Sequence, residues 1–338
     1  VTLTLPSIGH IGKKVREVNW CTLHEGYTVY YCLICGEYYK DDFVEPRGHK
    51  FNNERCTYCG TPEYLTYFLN SNNEIVINGL NYKKSDVFIP DIIEGYQVKH
   101  ISKSGFAGDT YLTNITIPQK ICEIKEGTFK GCTSLKAVKL PNGITDIGND
   151  AFNGCSSLSD ITIPDNVATI GDRAFNGCSS LSDITIPDNV ATIGDNAFNG
   201  CISLVKVEIP NDIKRVGGCA FSKCTGLIDV LVPDTCTSIG KDTFSECERL
   251  ECITIKKVNG EIKNNFFKES GATSVKKIII EPGITYIGSQ IFEDSINLES
   301  VSIPDSAKIS INSFACKNIG CVIVTKDTGT IPYQFLAS

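Results

Sequence analysis

Polar and apolar residues alternate over residues 160–163, near the middle of the chain, where Asp160 and Thr162 alternate with Ile161 and Ile163. A period of two predicts a strand whose isoleucines point inward and whose polar residues point outward. Pro164 ends this strand, because proline has no N–H to donate to a ladder. A second short extended segment follows, with Val167 and Ile170 pointing inward, and Gly171 then permits a sharp turn.

The same pattern recurs along most of the chain at an offset of 23 residues. Residues 153–172 read NGCSSLSDITIPDNVATIGD, and residues 176–195 read the same twenty letters. The register lengthens by two residues near Gly271 and then resumes, which gives about ten copies between residues 88 and 325. The recurring residues include Pro118, Pro141, Pro164, Pro187, Pro210 and Pro233, and Phe106, Phe129, Phe152, Phe175, Phe198, Phe221, Phe244 and Phe267.

One repeat is too short to bury its own apolar residues, but stacked copies can bury them against each other. The pattern therefore predicts a β-rich solenoid. The period lies in the range of leucine-rich repeats, and L-x-x-I-x-I at 158–163 matches their strand signature. A right-handed parallel β-helix is the competing architecture, although its coils usually lack such a fixed register of Phe and Leu.

The segment AFNGCSSLSDITIPDNVATIGD (151–172) closely resembles the BspA-like leucine-rich-repeat family. Ala-Phe, Gly-Cys, Leu-x-x-Ile-x-Ile-Pro and Ile-Gly all fall in register, and the resemblance covers roughly residues 88–325. It implies a surface or secreted protein of a host-associated microbe that acts in adhesion or protein recognition.

Two further segments precede the array. TYFLNSNNEIVINGL (66–80) predicts two strands around a polar turn, a hairpin suited to cap the open end of a solenoid. The predicted organisation is a Cys/His module at 1–62, a capping hairpin at 63–87 and the solenoid at 88–338.

The chain has 17 cysteines, an odd number, so they cannot all pair within one chain. Six recur with the repeat, and each would have two equivalent neighbours, which favours buried packing thiols over disulfides. We also expect Cys236 in the core and Cys252 on the surface. The repeat-register cysteines are Cys132, Cys155, Cys178, Cys201, Cys224 and Cys247.

Four N-terminal cysteines form two C-x-x-C pairs, Cys32 with Cys35 and Cys56 with Cys59. Each pair lets two thiolates converge on one ion, and the spacing between the pairs is typical of a zinc ribbon. The segment has few aliphatic residues, so a structural zinc ion would contribute much of its folding energy.

Other ligands lie nearby, and the number of ions is left open at one or two. Cys21, His49 and His10 could complete a second site, whereas His24 ranks lower. The Gly-His and Cys-x-x-Cys-Gly motifs also resemble small Cys/His modules found beside such repeats in bacterial surface proteins.

The formal charge of −7 argues against a dedicated binder of nucleic acid, and no run of 18 apolar residues exists to span a membrane. Nucleotide-binding, nucleophile-elbow and HExxH motifs are absent from the sequence, so we expect no enzyme. The chain starts at Val1 without any methionine, and we expect that a signal peptide, if one exists, was removed.

Basic residues gather in the later copies, where they form a candidate contact surface for an acidic protein partner. The main hypothesis is a non-enzymatic, secreted or cell-surface scaffold for adhesion or recognition of host or matrix proteins. The alternatives are a structural spacer without a single partner and, ranked lower, a zinc-dependent nucleic-acid-binding or regulatory protein. The candidate surface comprises Lys214, Arg215, Arg249, Lys256, Lys257, Lys276 and Lys277.

Overall fold

The computed structural model describes residues 62–310 apart from 237, 259, 265, 268 and 292–294; in the regions before and after, it gives only the backbone of short strands. The regular elements of the chain are all strands where they are described, and residues 62–310, as far as they are described, contain no helix. In chain order they are β1 (Thr2–Thr4), β2 (Ile11–Lys13), β3 (Thr28–Tyr31), β4 (Tyr38–Asp41), β5 (Phe51–Asn52), β6 (Arg55–Cys56), β7 (Leu65–Leu69), β8 (Ile75–Leu80), β9 (Asp86–Phe88), β10 (Ile92–Ile93), β11 (Tyr96–Ile101), β12 (Asn114–Thr116), β13 (Glu123–Ile124), β14 (Ala137–Lys139), β15 (Asp146–Ile147), β16 (Asp160–Ile161), β17 (Thr169–Ile170), β18 (Thr192–Ile193), β19 (Lys206–Glu208), β20 (Arg215–Val216), β21 (Asp229–Pro233), β22 (Cys252–Lys256), β23 (Glu261–Ile262), β24 (Lys277–Ile280), β25 (Tyr286–Ile287), β26 (Ser300–Ile303), β27 (Lys308–Ile309), β28 (Ile323–Lys326) and β29 (Gly329–Ile331).

The chain divides into two compact units. The first comprises residues 1–82 and 90–99, and in it β7 and β8 pair antiparallel, which confirms the hairpin predicted over 66–80. Three short antiparallel pairs, β1–β2, β3–β4 and β5–β6, also belong to this unit. The boundaries predicted for the module and the cap stay predictions.

The second unit, residues 83–89 and 100–338, is a solenoid with two rows of parallel strands, which we call the first and second sheets, and each row is divided into two hydrogen-bonded parts. The first sheet contains the leading strands of the repeats: β9, β12, β14 and β16 form one part, and β19, β21, β22, β24, β26 and β28 belong to the other. Asn114 pairs with Ala137 and Ala137 with Asp160, each 23 positions on. Cys252 pairs with Lys277, 25 positions on, which confirms the predicted lengthening of the register. The second sheet contains β13, β15, β17, β18 and β20, and β23, β25 and β27 continue the same role in the later copies.

A column of stacked phenylalanines runs through the solenoid core. Ring centroids lie 5.4 Å apart at Phe106–Phe129 and 5.2 Å apart at each step from Phe129 to Phe221. The separation widens to 5.9 Å and then 6.1 Å at the next two steps, up to Phe267. The stack therefore loosens just before the repeat gains two residues.

The six repeat cysteines are free, fully buried thiols, as the repeat predicted. Each Sγ donates a hydrogen bond to the backbone carbonyl of a phenylalanine 26 residues earlier, at 2.9 Å for Cys132 and at 3.3 Å for Cys201. This bond satisfies the only polar group of the side chain and links it to a neighbouring repeat. Outside this column, Cys236 is buried as expected, whereas Cys252 is half-buried instead of exposed, between Asp229 and Lys277.

The glycine that follows the second strand is required by close packing of neighbouring repeats. Gly171 was expected to allow a sharp turn, but its φ lies outside the left-handed region, and an added Cβ would lie 2.6 Å from the backbone N of Asn149. Gly194 and Gly217 are similar, with the nearest backbone atoms at 2.5 Å. Glycine occupies this position because any side chain would collide with the preceding repeat.

Candidate protein-binding surface

The first sheet presents a column of outward side chains, one from the start of each leading strand, and Asp183 occupies the equivalent position in the repeat that forms no leading strand. We call the six residues of this column in the central and later copies the leading column. In the pairing of neighbouring leading strands, Lys206 lies beside Asp229, Asp229 beside Cys252, and Cys252 beside Lys277. The leading column comprises Asp160, Asp183, Lys206, Asp229, Cys252 and Lys277.

The seven basic residues predicted to contact a partner fall in three places. Arg249, Lys276 and Lys277 lie at or just before the N-terminal ends of the leading strands β22 and β24, and Lys276 N donates to Glu251 O at 3.0 Å. Lys256 and Lys257 lie at the opposite end of β22.

The remaining two predicted residues, Lys214 and Arg215, lie at strand β20 of the second sheet. The structure thus places Arg249, Lys276 and Lys277 at the same end of the leading strands and the other four residues elsewhere.

Intramolecular ion pairs neutralise part of this charge. Lys256 Nζ donates to Glu208 Oε1 at 2.6 Å, and this bond raises the pKa of Lys256. Lys276 Nζ lies 3.4 Å from Glu251 Oε1.

Arg215 also forms an ion pair, with Asp195. Among the described residues Arg249, Lys257 and Lys277 have no such pair. At the N-terminal ends of the leading strands, the positive charge available to a partner therefore centres on Arg249 and Lys277.

Two exposed apolar residues beside the leading column were missed from the sequence. Ile202 is 49% exposed and Val205 is 46% exposed, although the two identical copies carry serine at both positions. Val205 is followed in the next repeat by half-buried Ile228, whose N–H donates to Val205 O at 2.9 Å. Ile202 and Val205 could have been found in the sequence by comparing each copy with its neighbours, because both positions carry serine in the two identical copies.

The predicted zinc ligands Cys32, Cys35, Cys56 and Cys59, and the additional candidates Cys21, His49 and His10, have side chains outside the described residues. The zinc site stays a prediction. Within residues 62–310, as far as they are described, no group of three or more His, Cys, Asp or Glu side chains could hold a metal ion.

The repeat thiols are poor nucleophiles. Burial raises the pKa of Cys132 and of Cys247 to about 12, and it raises the pKa of Cys201 well above its usual value. A thiol reacts as its thiolate, so these side chains are inert at neutral pH. In the part of the chain that is described, no helix is long and apolar enough to cross a bilayer.

One known family of repeats matches this chain by sequence. The model of the BspA type leucine-rich repeat region matches this chain in 6 copies, over residues 99–228, 145–273 and 220–338. No match was found among curated proteins.

Similar solved structures include three bacterial proteins. A leucine-rich repeat protein from Bacteroides ovatus is 22% identical over 79% of this chain and 89% of that chain, with a TM-score of 0.40. A leucine-rich cell surface protein from Faecalibacterium prausnitzii is 25% identical over 80% of this chain and 94% of that chain, with a TM-score of 0.37. A leucine-rich repeat protein from T. pallidum is 24% identical over 70% of this chain and 90% of that chain, with a TM-score of 0.43. The family match covers well over half of the chain, so the chain belongs to the BspA-type leucine-rich-repeat family.

Proposed function

We propose that this chain is a secreted or cell-surface scaffold that binds a protein partner through the first sheet of its solenoid, in adhesion or recognition of a host or matrix protein. The observation that carries the proposal is a contrast between core and surface. The same Phe, Leu and Cys residues recur in the core of successive copies. Outward positions of these copies change from Ser, Asp and Thr to Ile, Val, Lys and Arg.

The requirements of folding do not explain this variation at the outward positions. The serines at 156, 159, 179 and 182 occupy the same positions as Ile202 and Val205 and support the same coil. Exposed apolar residues and unpaired basic residues on the same sheet favour protein contacts, since interfaces combine apolar anchors with charged groups at the rim.

Binding should depend on Arg249 and Lys277. The double variant Arg249→Glu, Lys277→Glu should weaken saturable binding to an immobilised matrix or cell-surface protein by at least about tenfold, because both charges reverse. Lys136→Glu, Lys139→Glu is the matched control, since both residues are exposed on the first sheet of an earlier copy. Binding that survives the reversal at Arg249 and Lys277 would refute this site.

The identical central copies favour one alternative, a structural spacer, because their outward face carries only Asp, Thr and Ser. A spacer would show no saturable partner in the same assay. Retention on DNA or RNA that falls steeply with salt would instead support the nucleic-acid-binding alternative.

We also propose a structural zinc ion in the N-terminal module, held by Cys32, Cys35, Cys56 and Cys59, with Cys21, His49 or His10 as candidates for a second ion. The support is the ligand spacing and the donor chemistry, since thiolate and imidazole are the preferred zinc ligands. Elemental analysis of protein purified without added zinc should find one or two ions per chain. A content near zero would refute the proposal.

A further inference from the structure

The leading column carries five charges that form no ion pair among the described residues. Asp160, Asp183, Lys206, Asp229 and Lys277 are all exposed, and none lies within ion-pair distance of an opposite charge. Basic residues elsewhere on these copies do pair, for example Lys256 with Glu208 and Lys276 with Glu251. The unpaired charges of this column therefore occupy equivalent positions in successive repeats.

If a second copy is placed with its repeats in the opposite order, its charges along this column are complementary to those of the first copy. A two-fold axis placed between the repeats of Lys206 and Asp229, parallel to the strands, would turn a second copy over and reverse the order of its repeats. Lys206 then faces Asp229 of the second copy, and Asp160 faces its Lys277. Asp183 faces the uncharged Cys252, so no like charges meet in this register.

Apolar residues that are exposed or half-buried lie on the same two repeats as the axis. Val205 directly precedes Lys206, and Ile228 directly precedes Asp229, so the two residues lie just before the adjacent strands β19 and β21, and Ile228 N donates to Val205 O at 2.9 Å. The same two-fold rotation brings Val205 against Ile228 of the second copy. Apolar side chains at the centre with charges on either side are the usual arrangement of a self-complementary interface.

From this pattern we propose that the chain forms a two-fold dimer with a second copy of itself, through the leading column, with the solenoids antiparallel. The paired face spans six repeats at about 4.8 Å each, or about 25 Å, so we expect the buried area to fall at the low end of the range for specific protein–protein interfaces. The dimer and the proposed partner would use the same face and share Lys277, so they would compete. The two proposals are still tested separately, because Lys206 and Asp229 lie outside the basic residues assigned to the partner contact.

Charge exchange tests both the dimer and its register. Sedimentation equilibrium of the full chain at low salt should show that Lys206→Asp and Asp229→Lys each weaken self-association by at least about tenfold, because each homodimer then contains two like-charge contacts. An equimolar mixture of the two variants should recover the affinity of the unmodified chain. In the mixed dimer, the aspartate introduced at position 206 of one variant faces the lysine introduced at position 229 of the other.

The chain offers controls for folding and for charge. Aspartate already occupies the position of Lys206 in the two preceding copies, so Lys206→Asp should leave the fold intact. Lys139→Asp makes the same charge change on the same sheet, but the axis places it opposite the neutral Ser302, so dimer affinity should stay within about twofold. A chain that stays monomeric at about 200 μM, or a mixture that fails to restore association, would overturn the proposal.

Discussion

At the scale of single residues, the glycine column shows how closely successive repeats approach. Gly194→Ala should destabilise the protein by about 1–3 kcal/mol or more, because the new Cβ would lie 2.5 Å from Asp172 N and the backbone would have to shift. Gly143→Ala is the matched control, since its Cβ would meet its nearest neighbour at 3.6 Å. Urea unfolding of both variants measures the difference, and equal stabilities would contradict the packing explanation.

Because of the buried thiols, we expect the free energy of unfolding to decrease as the pH becomes alkaline. Burial raises the pKa of Cys201, Cys178 and Cys224 in the folded state above the ordinary value of 9.0. The unfolded chain then loses thiol protons that the folded chain keeps. Stability is complete below about pH 8 and falls above pH 9 by about 1.4 kcal/mol per pH unit for each such thiol.

Urea unfolding at several pH values with reductant present tests this dependence. Cys201→Ala should show a shallower loss of stability between pH 9 and pH 11 than the unmodified chain, since it contains one fewer shifted thiol. An unchanged slope would mean that the Cys201 thiol titrates alike in both states. The comparison cancels the titration of tyrosine and lysine, which the two proteins share.

At the scale of elements, the phenylalanine column predicts a gradient of stability along the solenoid. Phe198 stacks at 5.2 Å on both sides, whereas Phe244 stacks at 5.9 Å and 6.1 Å. Both side chains are buried, so Phe198→Leu and Phe244→Leu remove similar apolar area. The first should cost about 1 kcal/mol more, because it breaks two closer aromatic contacts. Equal losses in thermal unfolding would show that stacking distance does not affect stability here.

The elements also show where sequence reasoning succeeds and where it stops. The offset of 23 and the position of Phe129 or Leu158 predicted the sheets and the core, because these features depend on local periodicity and burial alone. Residues 160–161 form strand β16, yet the same letters at 183–184 form no strand in the described structure. Identical local sequences differ here because strand pairing depends on the neighbouring repeats.

The candidate surface was predicted only in part, for a similar reason. The ion pair of Lys256 with Glu208 joins residues 48 positions apart, so a count of basic residues along the chain could not show that the charge is neutralised. The exposure of Val205 likewise depends on the coil around it.

At the scale of the whole molecule, the repeat predicts that one complete copy can be removed. Deletion of residues 176–198 joins Phe175 to Asn199, which reproduces the natural Phe-Asn-Gly-Cys junction. Each copy contacts mainly its neighbours, so the shortened solenoid should close its sheets and its phenylalanine column in register. It should unfold cooperatively, with a urea m-value lower by about a tenth because less surface becomes exposed on unfolding.

The matched control deletes residues 176–187, about half a copy. It places a second strand where a leading strand should follow, so apolar residues of one coil would face polar residues of the next. This variant should lose cooperative unfolding, as measured by circular dichroism against urea. A half-copy deletion as stable as the full-copy deletion would show that the register of 23 residues does not control the fold, whereas collapse of both variants would show that the copies are not interchangeable.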